Sequence, residues 1–276
     1  MTYREFIADP ARPCAVVAHR GAWHRAPENS LAALEAAMAA GYDIAEIDIQ
    51  QSADGGLFLL HDDTLRRMAG VDARADTLSI AALLRLTLRD GGGGDDQPMT
   101  RHTIPAFEQI LETARGRIFL DLDLKDPALM PIVAARVKAM GMANQVDLKE
   151  RVDSPTARAW LADQSGLDGI PFMGKAFFRR ADAAQVAADV ISVGPILCEA
   201  EFDALETLAA QHVRLRDAGI ALWVNTLDPV SCCGFTDTAA RTDPDSVWGR
   251  LIAAGVSAIQ TDEPAALQAY VRRQRA

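Results

Sequence analysis

Four short segments in the first half of the chain carry side chains suited to acid–base and cation chemistry. His19-Arg20-Gly21 ends the apolar run Ala15-Val16-Val17-Ala18. Pro27-Glu28-Asn29, then Glu46-Ile47-Asp48, then His61-Asp62 follow it. His19 and His61 each close an apolar run, and two imidazoles that reach one reacting group serve as general base and general acid near neutral pH. Glu46 and Asp48 lie two apart, so in a strand both carboxylates share one face while Ile47 and Ile49 share the other. Paired carboxylates in a closed interior repel and desolvate each other unless a cation or protons compensate, which points to a Mg²⁺ or Ca²⁺ site. The alternative is a structural acid pair bonded to Arg or backbone groups.

The segment Arg117-Ile118-Phe119-Leu120-Asp121-Leu122-Asp123-Leu124-Lys125 repeats the alternation. Asp123, near the end of that strand, offers a third carboxylate to Glu46 and Asp48. Lys125, two further on, meets a phosphate or leaving oxygen, or else neutralises Asp123. Arg20, Lys125 or a bound cation would supply positive charge to a phosphate. Asn29 or Ser30 caps the helix that follows, and Glu28 compensates that helix dipole, orients a histidine or binds a substrate hydroxyl. Trp223 and Asn225 share a face of a later strand, as a pocket wall and a hydrogen-bond donor, with core packing the competing role for Trp223.

These side chains need a scaffold that brings several strand ends to one place. Strands are expected near 14–19, 44–50, 117–124, 145–149, 169–175, 190–196, 220–226 and 257–261. Helical patterns over 30–40, 128–140, 155–164, 181–188, 202–218, 246–254 and 265–273 alternate with them. The expected fold is an α/β TIM-type (β/α)8 barrel forming a single domain over 1–276. A small insertion, about 51–104, falls between the second and third strands. Within and after it come an extra strand over 56–60, a short helix over 80–86, a flexible loop over 91–94 and a helix over 107–114.

Composition sets limits on partners and compartment. The 276 residues are 49% hydrophobic and 24% charged, as in an ordinary globular protein. Twenty-eight Lys and Arg against 38 Asp and Glu give a formal charge of −10, which argues against nucleic acid and against stable association with an anionic membrane. Cys14, Cys198, Cys232 and Cys233 show no zinc spacing and no disulfide density, so they are expected as reduced thiols. Residues 1–13 lack the apolar core of a signal peptide, and no apolar run approaches a membrane span. A cytoplasmic protein is expected. The basic stretch Val271-Arg272-Arg273-Gln274-Arg275 complements the end of the last helix.

Taken in order, His19-Arg20-Gly21, Pro27-Glu28-Asn29, Glu46-x-Asp48, His61-Asp62-x-Thr64-Leu65-x-Arg67, Ile104-Pro105, Asp123-x-Lys125 and Gln260-Thr261-Asp262-Glu263-Pro264 resemble the glycerophosphodiester phosphodiesterase family. The resemblance runs from residue 16 to about 267, with its specific motifs in the N-terminal half. It implies one divalent cation, Mg or Ca, held by Glu46, Asp48 and Asp123. It also implies acid–base histidines at His19 and His61, and phosphate contacts from Arg20 and Lys125. The implied reaction releases sn-glycerol 3-phosphate and an alcohol. A sugar phosphodiester or lysophospholipid head group, or a binding barrel that has lost activity, stays open. Two departures bear on this. Asp123 stands where the family commonly has Glu, and Trp223-Val224-Asn225-Thr226-Leu227 with a long loop to Asp245 replaces the usual Trp-Thr-Val-Asn.

Overall fold

The computed structural model describes residues 1–164 and 167–274. Its strands are β1 (Ala15–Ala18), β2 (Ile44–Gln51), β3 (Leu57–Leu59), β4 (Thr87–Arg89), β5 (Met99–Thr103), β6 (Phe119–Leu124), β7 (Val146–Arg151), β8 (Phe172–Phe178), β9 (Leu197–Phe202), β10 (Ala221–Asn225) and β11 (Val256–Thr261). In the order β1-β11-β10-β9-β8-β7-β6-β2, with β1 also paired to β2, eight parallel strands close into a barrel with helices between them. β3 lies outside the ring, antiparallel to β2. The chain divides into two compact units, Ala18–Val146 and Met1–Val17 with Asp147–Ala276.

Within Ala18–Val146, β2 and β6 pair in parallel with Glu46 opposite Asp121 and Asp48 opposite Asp123. Apolar side chains occupy the alternate positions: Ala45, Ile47, Ile49, Leu120 and Leu122 are all buried. The helix Leu31–Ala40 begins at Ser30, whose hydroxyl accepts from the Ala33 amide at 3.1 Å, and ends at Gly41 in the left-handed region that glycine favours. The insertion has its own small core of Phe58, Leu60, Leu65, Met68, Leu83, Leu88 and Ile104. The antiparallel pair β4–β5 lies within it. Its 91–94 loop is tied down rather than flexible. The Gly94 amide donates to the Arg67 carbonyl at 2.9 Å, and Arg67 Nη1 donates to the Gly92 carbonyl at 2.5 Å.

In the other unit β7 to β11 run parallel, each paired with the next. One expected strand is displaced. Residues 190–193 end the helix Ala183–Val193, and the strand comes later as β9. Ala183, Val186, Ala187 and Val190 are buried at helical spacing, and Gly194 at φ 70° stops the helix. The helix expected over 202–218 accordingly shortens to Leu205–Asp217. The long loop after β10 contains the helix Asp237–Thr242. The buried Asp237 carboxylate accepts from the Thr226 and Thr261 hydroxyls, both at 2.6 Å, and from the Asp262 amide at 2.8 Å.

All four cysteines are free thiols. Among the described residues no helix is long and apolar enough to cross a membrane. Arg272 and Arg273 sit in the last turn of Pro264–Gln274, as the helix dipole favours, while Arg275 lies outside the described residues.

Candidate active site

The unit Ala18–Val146 gathers eight of the ten candidate residues: His19, Arg20, Glu28, Glu46, Asp48, His61, Asp123 and Lys125. Glu46 and Asp48 are almost fully buried, as strand parity predicts for an inward face. Each of Glu46, Asp48 and Asp123 offers one ligand oxygen, and the three oxygens lie within 4.8 Å of one another. Opposite ligands of an ion with Ca–O bonds of 2.3–2.6 Å stand roughly 4.6–5.2 Å apart, and adjacent ligands stand closer. The donor set therefore fits a hard divalent cation. The shorter Asp123 still reaches this cluster.

Two cations and an amide converge on Asp48. Lys125 Nζ lies 2.6 Å from Asp48 Oδ1 and 2.8 Å from Asp123 Oδ2, so it does neutralise Asp123. Arg20 Nε lies 3.3 Å from Asp48 Oδ2, and its Nη1 donates to both Glu28 oxygens at 3.1 Å. Burial by itself would raise the Asp48 carboxyl, but Lys125 and Arg20 outweigh it and hold the group below the usual carboxylate range. Burial likewise works against the charges on Lys125 and Arg20. Asp48 and Asp123 reverse this for the lysine, and Glu28, Asp48 and Glu46 reverse it for the arginine, so both groups titrate above their ordinary values.

Either Asn29 or Ser30 was expected as the cap. Ser30 is the cap, and Asn29 instead clamps Asp48. Its Nδ2 donates to Asp48 Oδ2 at 2.6 Å, and its Oδ1 accepts from the Asp48 amide at 3.0 Å. This reach places Asn29 at φ 54°, a left-handed conformation that asparagine tolerates. Arg20 shares that conformation at φ 54°. Its amide donates to Glu46 Oε2 at 3.0 Å, and its carbonyl accepts from the Asn29 amide at 3.1 Å.

His61 is held by a chain of ion pairs. Its Nδ1 lies 2.8 Å from Asp62 Oδ1, and Arg67 grips Asp62 with two bonds, Nε to Oδ2 at 2.7 Å and Nη2 to Oδ1 at 2.8 Å. The same Nη2 donates to Glu28 Oε1 at 2.6 Å, so Glu28 bridges Arg67 and Arg20. Hydrogen bonds from Arg67 hold the Asp62 carboxyl down to about 2. An ionised Asp62 accepts a hydrogen bond from Nδ1–H, the tautomer in which a neutral ring keeps its lone pair on Nε2. Gln50, on the same face of β2 as Asp48, donates to the Leu60 and Asp62 carbonyls at 2.7 and 2.8 Å and so fixes the backbone on both sides of His61.

Asn29 was expected only as a helix cap, and Asp62 and Arg67 stood in the ordered motif with His61 without a role of their own. Gln50 was not singled out from the sequence and reveals itself only through its contacts. His19 follows β1 and is half-buried. Trp223 and Asn225 belong to the other unit, where Trp223 is fully buried and its Nε1 donates to Asn225 Oδ1 at 2.8 Å.

A closed (β/α)8 barrel with acids, imidazoles and cations near strand ends is the build of TIM-type barrels. Residues 19–155 match the model of the glycerophosphoryl diester phosphodiesterase family, and residues 172–271 match a domain of unknown function. A glycerophosphodiester phosphodiesterase of Caldanaerobacter subterraneus is 30% identical over 105 residues, 38% of this chain and 42% of that protein. The crystal structure of a glycerophosphodiester phosphodiesterase from Agrobacterium tumefaciens is similar with a TM-score of 0.67 and 27% identity, over 93% of this chain and 99% of that one. An Oleispira antarctica phosphodiesterase, solved in complex with the product sn-glycerol-3-phosphate, shares the fold at TM-score 0.68 and 21% identity, over 94% of this chain and 96% of that one.

The chain belongs to the glycerophosphoryl diester phosphodiesterase family. It spans under half the length of the first curated relatives it matches.

Proposed function

We propose that the protein hydrolyses glycerophosphodiesters to sn-glycerol 3-phosphate and an alcohol, using one divalent cation, Mg or Ca, and two histidines. The observation that carries this reading is the Glu46, Asp48 and Asp123 triplet beside a histidine whose Nδ1 is anchored on Asp62. The names of the Agrobacterium and Caldanaerobacter relatives, and the product held by the Oleispira enzyme, agree with the substrate class.

Each residue has a part. Glu46, Asp48 and Asp123 would hold the cation, which when bound supplies Lewis-acid neutralisation of phosphoryl charge. Arg20 and Lys125 contact the phosphate oxygens, and Glu28 fixes the Arg20 guanidinium from below. One histidine takes the proton from the attacking hydroxyl as its oxygen bonds to phosphorus. As the phosphorus–oxygen bond to the alcohol breaks, the other histidine delivers a proton to the departing oxygen. Trp223, fully buried, acts by holding the Asn225 amide at 2.8 Å and not by touching substrate. The partner is thus a small-molecule phosphodiester.

Product identity tests the reading. Glycerophosphocholine incubated with the protein and Mg²⁺ or Ca²⁺ and followed by ³¹P NMR should yield sn-glycerol 3-phosphate and free choline. His61→Ala, folded by circular dichroism, should lose at least about a hundredfold in kcat. Release of phosphocholine, or full activity in His61→Ala, would overturn it.

A further inference from the structure

The loop after β10 carries the adjacent pair Cys232-Cys233, and the chemistry proposed above gives it no task. Both thiols reach the main chain of one residue, Phe202, at the end of β9. The Phe202 amide donates to Cys232 Sγ at 3.4 Å, and Cys233 Sγ donates to the Phe202 carbonyl at 3.4 Å. β10 pairs with β9 only as far as Trp223 opposite Glu199, so the two thiols stand where that ladder would have continued. Phe202 is buried, and its amide and carbonyl need partners. Thiols are weak donors and acceptors, so the turn is held to β9 by two weak bonds.

Adjacent side chains on an extended chain point to opposite sides. Cys233 escapes that rule with φ 54°, a left-handed backbone that cysteine rarely adopts, and Gly234 follows at φ 78°. The Phe235 amide closes the turn by donating to the Cys232 carbonyl at 3.0 Å, and the Phe235 ring meets Phe202 edge-on with centroids 5.9 Å apart. Two neighbouring sulfurs therefore lie against one residue, on one side of the chain. Cys233 is exposed and Cys232 half-buried, so an oxidant reaches the first while the second stands beside it. That is the arrangement of a reactive thiol with its resolving partner. Cys14 and Cys198 are buried out of reach of such an oxidant.

We propose that Cys232 and Cys233 form a reversible redox site, a vicinal dithiol that a hydroperoxide closes to a disulfide, loosening the turn from β9. The Cys233 sulfur attacks one peroxide oxygen. The O–O bond breaks, an alcohol or water departs with a proton, and Cys233 becomes a sulfenic acid. The Cys232 sulfur then forms the S–S bond, and the sulfenic hydroxyl leaves as water with the Cys232 proton. Two thiols have given up two electrons, and the hydroperoxide has been reduced. Neighbouring Cα atoms stand about 3.8 Å apart, closer than a relaxed disulfide prefers, so the product is strained and a dithiol reductant reopens it. Closure removes the Cys233 S–H, and the Phe202 carbonyl loses its donor. Burial raises both thiols above their ordinary value, so the pair is protonated at neutral pH and responds to a heavy oxidant load rather than to traces.

Peptide mass spectrometry tests the site in the whole protein. After hydrogen peroxide treatment at mildly alkaline pH, the tryptic peptide 217–241, which holds these two cysteines and no other, should lose two hydrogens and regain them with dithiothreitol. Cys232→Ser and Cys233→Ser should each abolish that loss, the remaining thiol taking up oxygen instead. Phenylarsine oxide, which bridges two thiols with release of water, gives a second readout that needs neither oxidant nor variant: the same peptide of the wild-type protein should carry one arsenical. Oxygen uptake without loss of two hydrogens, linkage of two chains through this peptide, or absence of the arsenical from it overturns the proposal.

Amide hydrogen exchange reads the loosening. In the oxidised protein the Phe202 amide and those of residues 231–235 should exchange about tenfold faster or more than in the reduced protein, and dithiothreitol should restore the slower rate. Equal exchange in the two forms overturns the release of the turn. None of these readouts depends on turnover, so the redox site stands or falls apart from the hydrolase reading.

Discussion

Asn29 holds Asp48 at two points, donating to its carboxylate at 2.6 Å and accepting from its backbone amide at 3.0 Å. One side chain thus fixes both the strand position and the rotamer of a buried carboxylate in the acidic triplet. Asn29→Ala leaves the Asp48 amide without its acceptor and places alanine in a left-handed conformation. The expected loss is about 2–4 kcal/mol of stability from the unpaired polar groups and backbone strain. Divalent-cation affinity should fall as well. Urea midpoints and cation titration calorimetry measure both; unchanged values would show that the clamp carries nothing.

Arg67 joins Asp62, Glu28 and the Gly92 carbonyl with one planar guanidinium. Lysine keeps the charge but cannot reproduce the fork. Arg67→Lys is therefore expected to lower kcat by about tenfold to a hundredfold through misplacement of His61 and Arg20, with a smaller change in KM. The limb of the pH–rate profile that reports a histidine should move, since Asp62 loses its anchor. Wild-type kcat with an unmoved profile would contradict this chain of orientation.

Acid stability follows from Asp62. Its folded pKa of about 2 lies below the ordinary 3.8, so the ionised form favours folding. The contribution is complete above pH 3.8 and is lost as pH falls toward 2. That lowering corresponds to an upper bound of about 2.5 kcal/mol, and solvent screening of this partly exposed pair reduces it to about 1 kcal/mol. The stability gap between wild type and Asp62→Asn should therefore hold steady from pH 7 to about 4 and shrink below that. A gap that widens on acidification has the wrong sign.

Gly93 sits at φ 71°, and a Cβ there would stand 2.6 Å from the Arg67 carbonyl oxygen and 2.5 Å from Met68 Sδ. The thioether can move aside, but the backbone cannot without shifting Arg67. Gly93→Ala should cost about 1–3 kcal/mol and lower activity together with stability. A neutral substitution, read by thermal denaturation, would mean that the loop does not position Arg67.

The acidic strands were legible in the sequence because strict alternation of Ile or Leu with Glu or Asp leaves one consistent register for β2 and β6. The shift from 190–196 to β9 has a physical origin. Val190, Ile191 and Val193 resemble a strand by composition, yet they belong to a helix whose buried face Val190 completes. β9 itself carries Glu199 and Glu201 on its inward side, and that polarity conceals it. Lys125 shows a different limit. Its spacing from Asp123 admits both a phosphate contact and an ion pair, and only the fold reveals that it also reaches Asp48. The Glu28–Arg67 pair is 39 residues apart in sequence, so no local pattern announces it.

The cation requirement tests the whole account most directly. The protein is dialysed against chelator, freed of it, and assayed on glycerophosphocholine before and after addition of Mg²⁺ or Ca²⁺, alongside Asp123→Ala. The account predicts loss of hydrolysis on stripping, recovery with one of the two ions, and weaker recovery in the variant at equal cation concentration. Full hydrolysis by the stripped protein would contradict it.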